Sequence, residues 1–348
     1  MSKGNIRASV IIVNYNGRDD LEDCLPTVCN QTHDNYEVIL VDNDSDDDSV
    51  NYVREQFPEI RVLANDENRW YPGGNNDGFK LARGEYLVVL NPDVEVEPDW
   101  LEHLLVPLEN DQTVGLTTSR IIRFEDRSRL NTCGNLAHYT GLGFCRGLDA
   151  PVDAFPDRER VSAMSGCSFA MRREVYDRIG GFDEHFQMYY EDLDLSWRAR
   201  LAGYDIVYVP KSVVYHKYNL SLSGQKLFRV ERNRYLVLMK HLRVQTLLLL
   251  LPALLLTELL VWVWAANSGM KSLRKKANSW MWLVSHRNSI NETSRSVQAL
   301  RERSDQELLA DMDVGLPLDQ LGVPKPIRPV LDPLIRLVYR PWHWLATR

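Results

Sequence analysis

The sequence predicts an α/β fold, a mixed and mainly parallel sheet flanked by helices, followed by a helical C-terminal region. Short runs of β-branched residues alternate with amphipathic helical stretches through the first hundred residues, as a parallel sheet covered on both faces requires. A leucine-rich stretch and most of the tryptophans lie in the last third of the chain. The 348 residues suffice for one large α/β domain and an appended region.

Strand and helix signals alternate from the start of the chain. We expect strands at residues 8–13, 37–41, 60–64 and 86–90, and helices at residues 21–29, 49–57 and 73–82. Doubly wound sheets of this kind bind their ligands at the carboxyl ends of the strands. The polar residues that close these strands are therefore the first candidates for a functional site.

The middle of the chain is less regular. Residues 121–160 lose the periodicity and are rich in Arg, Asp and Gly, which predicts a long loop or a small subdomain over the site. Regular structure returns with residues 162–171 and a helix that ends at Ile179. The remaining predicted elements are a helix near 192–202 and strands at 206–209 and 213–215.

Charge divides the chain into two parts. Residues 1–216 hold 21 Lys and Arg against 38 Asp and Glu, whereas residues 217–348 hold 20 against 10. We therefore predict an acidic α/β domain over residues 1–240 and a basic helical region over residues 241–348 that faces something anionic.

Residues 246–266 form a leucine-rich run that one charge, Glu258, and one proline, Pro252, interrupt. As a straight helix this run is about 31 Å long, roughly the thickness of a bilayer core. Basic residues flank both ends, which favours a kinked, re-entrant or interfacial element over a single crossing. Tryptophans mixed with Arg and Lys are typical of segments at the headgroup level, so we expect a membrane surface as a partner. The alternative is a buried helix packed on the first domain.

Several classes of protein lose support from the sequence. Five cysteines form no C-x-x-C pair, and the first residues lack the apolar core of a signal peptide. We therefore expect reduced cysteines and a cytosolic α/β domain. The motifs G-x-G-x-x-G, G-x-x-x-x-G-K and G-x-S-x-G are absent, which disfavours dinucleotide redox chemistry, P-loop phosphotransfer and serine hydrolysis.

Two strand ends carry carboxylates. Asp42 and Asn43 close the second strand, where a carboxylate can accept hydrogen bonds from a base or ribose; the alternative is a solvated acidic turn. Asn91-Pro92-Asp93 closes the fourth strand. A nucleoside diphosphate needs a divalent cation, to which the protein usually contributes one or two carboxylates. The alternative is that Asn-Pro-Asp is only a turn.

Acidic residues also gather at the predicted start of the helix near 192–202. Glu191, Asp192 and Asp194 follow two tyrosines there. One acid would serve as an ordinary helix cap, but three exceed that need and make a general base plausible. We expect the helix N-terminus to lower the pKa of such a base. His216 follows a short strand; it is either structural or a further metal ligand.

Four segments in order resemble the family 2 glycosyltransferases of the GT-A fold, particularly their rhamnosyltransferase-like branch. The segments are SVIIVNYNG, VILVDNDSDDDS, PGGNNDGFKLARGEYLVVLNPDVEVEPDWL, and SGCSFAMRREVYDRIGGFDEHFQMYYEDLDLSWRARLAGYDIVYVP followed by VVYH. The resemblance covers roughly residues 7–240. It implies nucleotide contacts at Val13, Asn14, Asp42 and Asn91, and a metal and diphosphate site at Asp93.

The same resemblance assigns the remaining site residues. Asp192 is implied as the catalytic base with Glu191 beside it, and His216 as a further ligand of a Mg²⁺ or Mn²⁺ ion. The family's D-x-D motif stands here as Asn91-Pro92-Asp93, without its first Asp, which leaves open how firmly the metal is held. Trp70 and Tyr71 also depart from the usual turn, so the donor sugar cannot be inferred.

The function implied is inverting transfer of a sugar from a nucleoside-diphosphate sugar to a hydroxyl of a saccharide or lipid-linked acceptor, at the cytoplasmic face of the membrane. We expect no nucleic acid partner. Two alternatives stay open: a polyprenyl-phosphate glycosyltransferase, and a catalytically silent membrane scaffold that binds a sugar nucleotide. The intact Glu191-Asp192 pair weighs against the scaffold.

Overall fold

Strands and helices alternate through the first ninety residues as the periodicity predicts. The computed structural model describes residues 6–218 and 224–348, and all four predicted strands and three predicted helices of this part are present. The elements are β1 (Ala8–Asn14), α1 (Arg18–Val28), β2 (Tyr36–Asp42), α2 (Ser49–Gln56), β3 (Arg61–Ala64), α3 (Trp70–Leu81) and β4 (Tyr86–Leu90).

The next part of the chain contains more strand than the sequence indicates. Residues 121–160 hold the end of β6 and four short strands instead of one long loop. The predicted strands at 206–209 and 213–215 are a single strand whose register shifts between Val209 and Val213, around a proline that lacks an N–H for the ladder. The elements are β5 (Val94–Val96), α4 (Trp100–Asn110), β6 (Val114–Arg123), β7 (Leu130–Thr132), β8 (Asn135–Ala137), β9 (Gly143–Cys145), β10 (Glu159–Arg160), β11 (Ser168–Arg172), α5 (Arg173–Ile179), α6 (Glu191–Leu201) and β12 (Asp205–His216).

The main sheet is mixed. Its strand order is β10-β12-β6-β11-β4-β1-β2-β3, with β5 beside β12 and β7 beside β6. Strands β4, β1, β2 and β3 are parallel neighbours, as are β6 and β12. Strand β11 is antiparallel to both β4 and β6. The predicted α/β fold is confirmed, and the carboxyl ends of β1, β2 and β4 share one edge of the sheet.

Helices cover both faces of this sheet. On one face, α1, α2 and α4 contribute to the main hydrophobic core. Within it, the fully buried Trp100 donates from Nε1 to the hydroxyls of Ser119 (3.1 Å) and Ser168 (3.0 Å). On the other face, a Cβ atom at Gly78 of α3 would lie 2.4 Å from Cγ2 of Ile11. A glycine at position 78 therefore lets α3 pack directly on β1.

The chain divides into two compact units. The first comprises Met1–Asn135, Cys145–Ala199 and Tyr204–Asn219, and the second comprises Leu136–Phe144, Arg200–Gly203 and Leu220–Arg348. The longest continuous segment of the second unit begins at residue 220, and the boundary expected after residue 240 stays a prediction. All five cysteines are free thiols.

Helices make up most of the second unit. The leucine-rich run is not one straight helix, because α8 (Val244–Leu249) ends just before Leu250 and α9 (Leu251–Asn267) begins just after it, close to Pro252. No helix in the described ranges combines the length and the apolar composition that a bilayer crossing needs. The helices are α7 (Gly224–His241), α8 (Val244–Leu249), α9 (Leu251–Asn267), α10 (Met270–Ser285), α11 (Arg287–Ala299), α12 (Asp305–Ala310) and α13 (Arg328–Ala346).

A cluster of four charges lies inside the second unit, and we call it the charge cluster: Glu231, Arg234, Glu258 and Lys276. The side chains of Glu231, Arg234 and Lys276 are at most 2% exposed. Arg234 lies 3.0 Å from Glu231 and 2.9 Å from Glu258, and Lys276 pairs with both acids. Glu258, the single charge of the leucine-rich run, is thus neutralised by cations from α7 and α10.

Candidate functional site

The ends of β1 and β2 bring Asn14 and Asp42 together. The parallel register places these residues opposite each other, and Nδ2 of Asn14 donates to Oδ2 of Asp42 over 2.8 Å. The backbone N–H and the hydroxyl of Ser45 also donate to Asp42, over 2.9 and 2.7 Å. Both carboxylate oxygens of Asp42 therefore accept hydrogen bonds from within the protein. Asn14 and Asp42 are at most 1% exposed.

Val13, the third residue expected to contact nucleotide near this edge, is half-buried. A Cβ atom at Gly74 of α3 would lie 2.7 Å from its Cγ1. This edge is therefore shaped by close packing of α3 against β1. Direct nucleotide contact by Val13, Asn14 and Asp42 stays a prediction, and their observed contacts indicate that Asn14 and Asp42 shape the turn after β2.

Asp93 and His216 lie side by side. Strand β5 pairs antiparallel with β12 and sets Val94 opposite His216, which brings Asp93 next to the imidazole. Nε2 of His216 lies 3.3 Å from Oδ1 of Asp93, and the Asn91 side chain also hydrogen-bonds Asp93. Asn91, Asp93 and His216 thus form one group, although more than a hundred residues of sequence separate His216 from the other two.

Asp93 and His216 each offset the effect of burial on the other's pKa. Burial, the largest single influence, would raise the pKa of Asp93, but the hydrogen bonds from His216 and Asn91 and the charge of His216 together outweigh it and leave that pKa below its usual value. Burial alone would lower the pKa of His216, but its neighbours Cys167 and Asp93 outweigh it and raise that pKa. Burial also raises the pKa of the Cys167 thiol, and His216 opposes that rise.

The donor set of this pair fits a divalent cation shared with a substrate. Among the residues that the structure describes, no group of three or more His, Cys, Asp or Glu is arranged to hold a metal ion. One carboxylate and one imidazole are suitable ligands for Mn²⁺, and Mg²⁺ is commonly bound by one or two carboxylates together with substrate phosphates. Metal ligands bind deprotonated, so a cation here would compete with the proton between Asp93 and His216.

Glu191 and Asp192 begin α6, as expected. The two residues before them, Tyr189 and Tyr190, have φ angles of 70° and 72°. Non-glycine residues adopt this left-handed region at an energetic cost, often next to functional sites. Oδ2 of Asp192 accepts from Nδ2 of Asn135 (2.7 Å) and from the N–H of Gly166 (3.4 Å).

The predicted direction of the Asp192 pKa shift is wrong. We expected the helix N-terminus to lower that pKa, but burial raises it despite hydrogen bonds from Leu193, Gly166 and Asn135. Burial and the charge of Asp192 raise the pKa of Glu191 well above its usual value. Burial thus favours the protonated form of both carboxyl groups, and Asp192 is the member for which several hydrogen bonds favour the ionised form.

Two consecutive residues, Gly166 and Cys167, join the two halves of the site. Gly166 donates to Asp192, whereas the carbonyl of Cys167 accepts from the N–H of Asn91 over 2.9 Å and its thiol bonds His216. Since consecutive Cα atoms are about 3.8 Å apart, the Asp93–His216 group and the Asp192 carboxylate contact neighbouring residues of one loop. All of these residues belong to the first unit.

Sequence reasoning missed several residues of this site. The Tyr71 hydroxyl donates to the carbonyl of Gly166 over 2.5 Å. Oδ1 of Asn131 lies 2.8 Å from Nδ1 of His216, and Asn135 bonds Asp192 as described. The segment N-T-C-G-N, residues 131–135, carries ordinary turn signals, and only the tertiary structure reveals that its two Asn side chains face the site.

The mixed, mainly parallel sheet with helices on both faces has the architecture of the GT-A fold. The family model described as Glycosyl transferase family 2 matches residues 9–180, and the model Glycosyl transferase family group 2 matches residues 152–287. Together these matches span residues 9–287, and the chain belongs to the family 2 glycosyltransferases.

Curated relatives cover the chain only in part. The O-antigen biosynthesis protein RfbC of Myxococcus xanthus is 29% identical over 225 residues, which are 62% of this chain and 17% of RfbC. The N-acetylglucosaminyl-diphospho-decaprenol L-rhamnosyltransferase of Mycobacterium tuberculosis is 27% identical over 230 residues, 60% of this chain and 75% of that protein. The chain thus spans a small part of RfbC and three quarters of the mycobacterial enzyme.

Solved structures share the fold. The mannosyltransferase PcManGT from Pyrobaculum calidifontis, in complex with GDP-Man and Mn²⁺, has a TM-score of 0.51 and 18% identity, covering 98% of this chain and 86% of its own. GalNAc-T7 with UDP, GalNAc and Mn²⁺ has a TM-score of 0.55 and 22% identity, covering 68% of this chain and 48% of its own.

Proposed function

We propose that this protein is an inverting glycosyltransferase that moves a sugar from a nucleoside-diphosphate sugar to a hydroxyl of a saccharide or lipid-linked acceptor. The observation that carries the proposal is the meeting of the Asp93–His216 pair and Asp192 at Gly166 and Cys167. One half offers ligands for the cation of a diphosphate, and the other offers a base within reach of the same loop.

Asp192 is the proposed base. The acceptor hydroxyl gives its proton to the Asp192 carboxylate while its oxygen forms a bond to the anomeric carbon. The bond from that carbon to the diphosphate oxygen breaks on the opposite side, so the anomeric configuration inverts. A raised pKa suits this role, because a base is most effective when its pKa approaches the working pH.

Glu191 supports this base by staying neutral. The carboxyl group is buried, with the side chain next to Asp192 and Tyr71. Two adjacent carboxylates do not both ionise easily in such a site. We therefore assign the proton of the pair to Glu191, which leaves the negative charge on Asp192.

Asp93 and His216 are the proposed protein ligands of a Mg²⁺ or Mn²⁺ ion, with Asn91 beside them. A divalent cation at this place would supply charge stabilisation for the leaving nucleoside diphosphate. The proposal agrees with the two structural neighbours, both of which were solved with Mn²⁺. Strand β5 contributes by holding Asp93 beside the imidazole.

A membrane surface is the proposed location of the acceptor. Among the described residues, all large apolar side chains that are exposed, except Tyr15, lie in the second unit. On α13 they recur at helical spacing as Val330, Leu334, Leu337 and Val338, which makes one apolar stripe. Residues 217–348 carry an excess of ten positive charges, which attracts anionic lipid and opposes docking of a second copy.

This partner fits the name of the mycobacterial relative, a transferase acting on a decaprenol-linked sugar. We propose the rhamnosyltransferase-like branch on the same grounds. We also propose the cytoplasmic face of the membrane, because all five cysteines are free thiols. The donor sugar is left open, because Trp70 and Tyr71 depart from the family's usual turn.

Release of nucleoside diphosphate from UDP-glucose, GDP-mannose and dTDP-rhamnose, with Mn²⁺ and a polyprenyl-diphosphate-linked sugar, tests the proposal. We expect one donor to turn over only when this acceptor is present. Turnover with polyprenyl phosphate instead would support the polyprenyl-phosphate glycosyltransferase. Binding of a donor, seen as a rise in the unfolding temperature, without turnover on either acceptor would support the silent scaffold.

A further inference from the structure

One short segment contacts both halves of the site. Residues 131–135, Asn-Thr-Cys-Gly-Asn, connect β7 to β8, and we call this segment the asparagine turn. Oδ1 of Asn131 accepts from Nδ1 of His216 over 2.8 Å. Four positions later, Nδ2 of Asn135 donates to Oδ2 of Asp192 over 2.7 Å. The segment thus bonds a proposed metal ligand at one end and the proposed base at the other.

The backbone of the asparagine turn is held independently of these two side chains. The N–H of Cys133 donates to the carbonyl of Arg146 over 3.0 Å, and the N–H of Arg146 donates to Gly134 over 3.1 Å. The N–H of Asn135 donates to the carbonyl of Ala163 over 2.8 Å. Gly134 has a φ of 92°, a conformation that favours glycine. The two amide groups are therefore not needed to close the turn.

We propose that Asn131 and Asn135 are positioning residues that hold His216 and Asp192 in a fixed relation to each other through this one turn. The proposal rests on the proposed function, because it assigns the two side chains they orient to metal binding and to base catalysis. Neither Asn is proposed to touch the substrate.

Asn131 sets which ring nitrogen of His216 faces Asp93. When Nδ1 donates to the Asn131 amide oxygen, Nε2 is the nitrogen that faces Asp93. An outer hydrogen bond of this kind fixes the orientation of a ligating imidazole and its tautomer. Loss of the amide should weaken cation binding while leaving Asp192 in place.

Asn135 sets the position and the ionisation of Asp192. The side-chain N–H of Asn135 is one of the donors that oppose the effect of burial on the Asp192 pKa. The titratable groups that face Asp192 are Glu191 on its own helix and Tyr71 on α3. Neither supplies a positive charge that would favour the ionised form, so removal of the Asn135 donor should raise the pKa of Asp192 further.

Separate variants of the full-length protein test the two roles. Asn135→Leu removes the donor at similar volume. We expect kcat at neutral pH to fall about 10- to 100-fold and the acid limb of its pH profile to move up by about one pH unit. Asn135→Asp, which adds a charge, should move that limb further. Mn²⁺ binding, measured by electron paramagnetic resonance with Mn²⁺ alone, should be unchanged in Asn135→Leu.

Asn131→Leu should give the opposite pattern. We expect affinity for Mn²⁺ alone to fall about 10- to 100-fold, with the acid limb of kcat at saturating Mn²⁺ unmoved. Asn110→Leu, which removes an exposed amide on α4 that donates to the Val106 carbonyl, is the control and should match the wild type in both measurements.

The outcomes separate this proposal from the proposed function. Wild-type values in either asparagine variant, or an equal loss of both properties in both variants, would overturn the positioning roles even if Asp192→Asn is inactive. Wild-type turnover by Asp192→Asn would overturn the proposed function itself. If a leucine variant does not fold, as judged by circular dichroism, the serine variant at the same position is measured against the same expectations.

Discussion

The N–H of Gly166 lies 3.4 Å from Oδ2 of Asp192, and a Cβ atom at position 166 would lie 3.5 Å from Cβ of Asp192. The same Cβ atom would lie 3.2 Å from the hydroxyl of Tyr71. Gly166 is therefore enclosed by the proposed base on one side and by a buried phenol on the other. Because this residue precedes Cys167, a shift here would reach both halves of the site.

Gly166→Ala should reduce activity more than stability. The added methyl group is tight against Tyr71 and touches Asp192, so the loop must shift by a few tenths of an ångström. We expect kcat to fall about 10- to 100-fold, because small displacements of catalytic groups are costly. The unfolding temperature should stay close to that of the wild type. Tyr71→Phe removes the crowding hydroxyl, so the double variant should recover part of the lost kcat; equal kcat in Gly166→Ala and wild type would contradict this.

Asp192→Asn should abolish transfer and preserve donor binding. An amide cannot take the acceptor proton, and loss of a general base costs about 10² to 10⁴ in rate. Asp34→Asn, which neutralises an exposed carboxylate just before β2, is the matched control and should be fully active. In the wild type, kcat/KM should rise with pH through the raised pKa of Asp192. Its midpoint should lie above the usual Asp value of about 4, and a midpoint at or below this value would contradict the assignment.

Asp93→Asn should alter the dependence on metal. The amide removes the charge that faces His216 at 3.3 Å, so we expect the Mn²⁺ concentration at half-maximal rate to rise by more than about tenfold. Treatment with EDTA should stop the wild-type reaction, and added Mn²⁺ or Mg²⁺ should restore it. Asp34→Asn again serves as the control. Full activity of the wild type in EDTA would refute the metal assignment.

Leu334→Asp combined with Leu337→Asp should release the protein from vesicles. These α13 side chains are 52% and 71% exposed, and each apolar side chain buried in a bilayer contributes about 1.5 to 3 kcal/mol. We expect binding to phosphatidylglycerol-containing vesicles in sedimentation to fall at least about tenfold. Asn288→Asp with Asn291→Asp adds the same charge on exposed positions of α11 and should bind more strongly than the leucine variant. A change from dimer to monomer without loss of vesicle binding would indicate docking of a second copy instead.

Glu258→Gln should destabilise the second unit in a pH-dependent way. Burial would raise the pKa of Glu258, but hydrogen bonds from Tyr235 and Lys276 outweigh it and lower that pKa to about 2. Because the folded value lies below the unfolded value of 4.5, this carboxylate stabilises the fold above pH 4.5 and loses that effect as the pH falls towards 2.

At pH 7 we expect a loss of about 3 kcal/mol in urea unfolding, since two buried cations lose an anion. The difference from the wild type should shrink between pH 4.5 and pH 2. Glu292→Gln removes an exposed carboxylate of α11 and should have little effect. A loss that is the same at both ends of this pH range would show that shape, not charge, is responsible.

Much of the first unit could be predicted from the sequence because its signals are local. The buried runs that became β1, β2 and β4 are continuous and rich in β-branched residues, and each ends in a polar residue or is followed directly by one at the shared edge. The irregular stretch of residues 121–160 could not be resolved, because strands such as β7 and β8 are three residues long and owe their conformation to pairing with distant segments. Periodicity over so few residues carries no information.

The acids of the candidate site could be predicted from the sequence, whereas two of its amides, Asn131 and Asn135, could not. Asp93, Glu191 and Asp192 stand out because carboxylates at strand ends and helix starts suggest chemistry. Asn131 and Asn135 resemble ordinary turn residues, and only long-range folding brings them to His216 and Asp192. The direction of the Asp192 pKa shift was also missed, because burial depends on neighbours such as Tyr71 that local sequence does not reveal.

The charge cluster of Glu231, Arg234, Glu258 and Lys276 contains two acids and two bases, so its formal contribution to the electrostatic field of the molecule cancels. The surplus of ten positive charges in residues 217–348 consequently belongs to side chains outside it. Any long-range attraction that this surplus generates should weaken as the ionic strength rises past about 0.15 M, where the Debye length falls to about 8 Å. The charge cluster should keep its ion pairs at high salt, because buried pairs are screened much less.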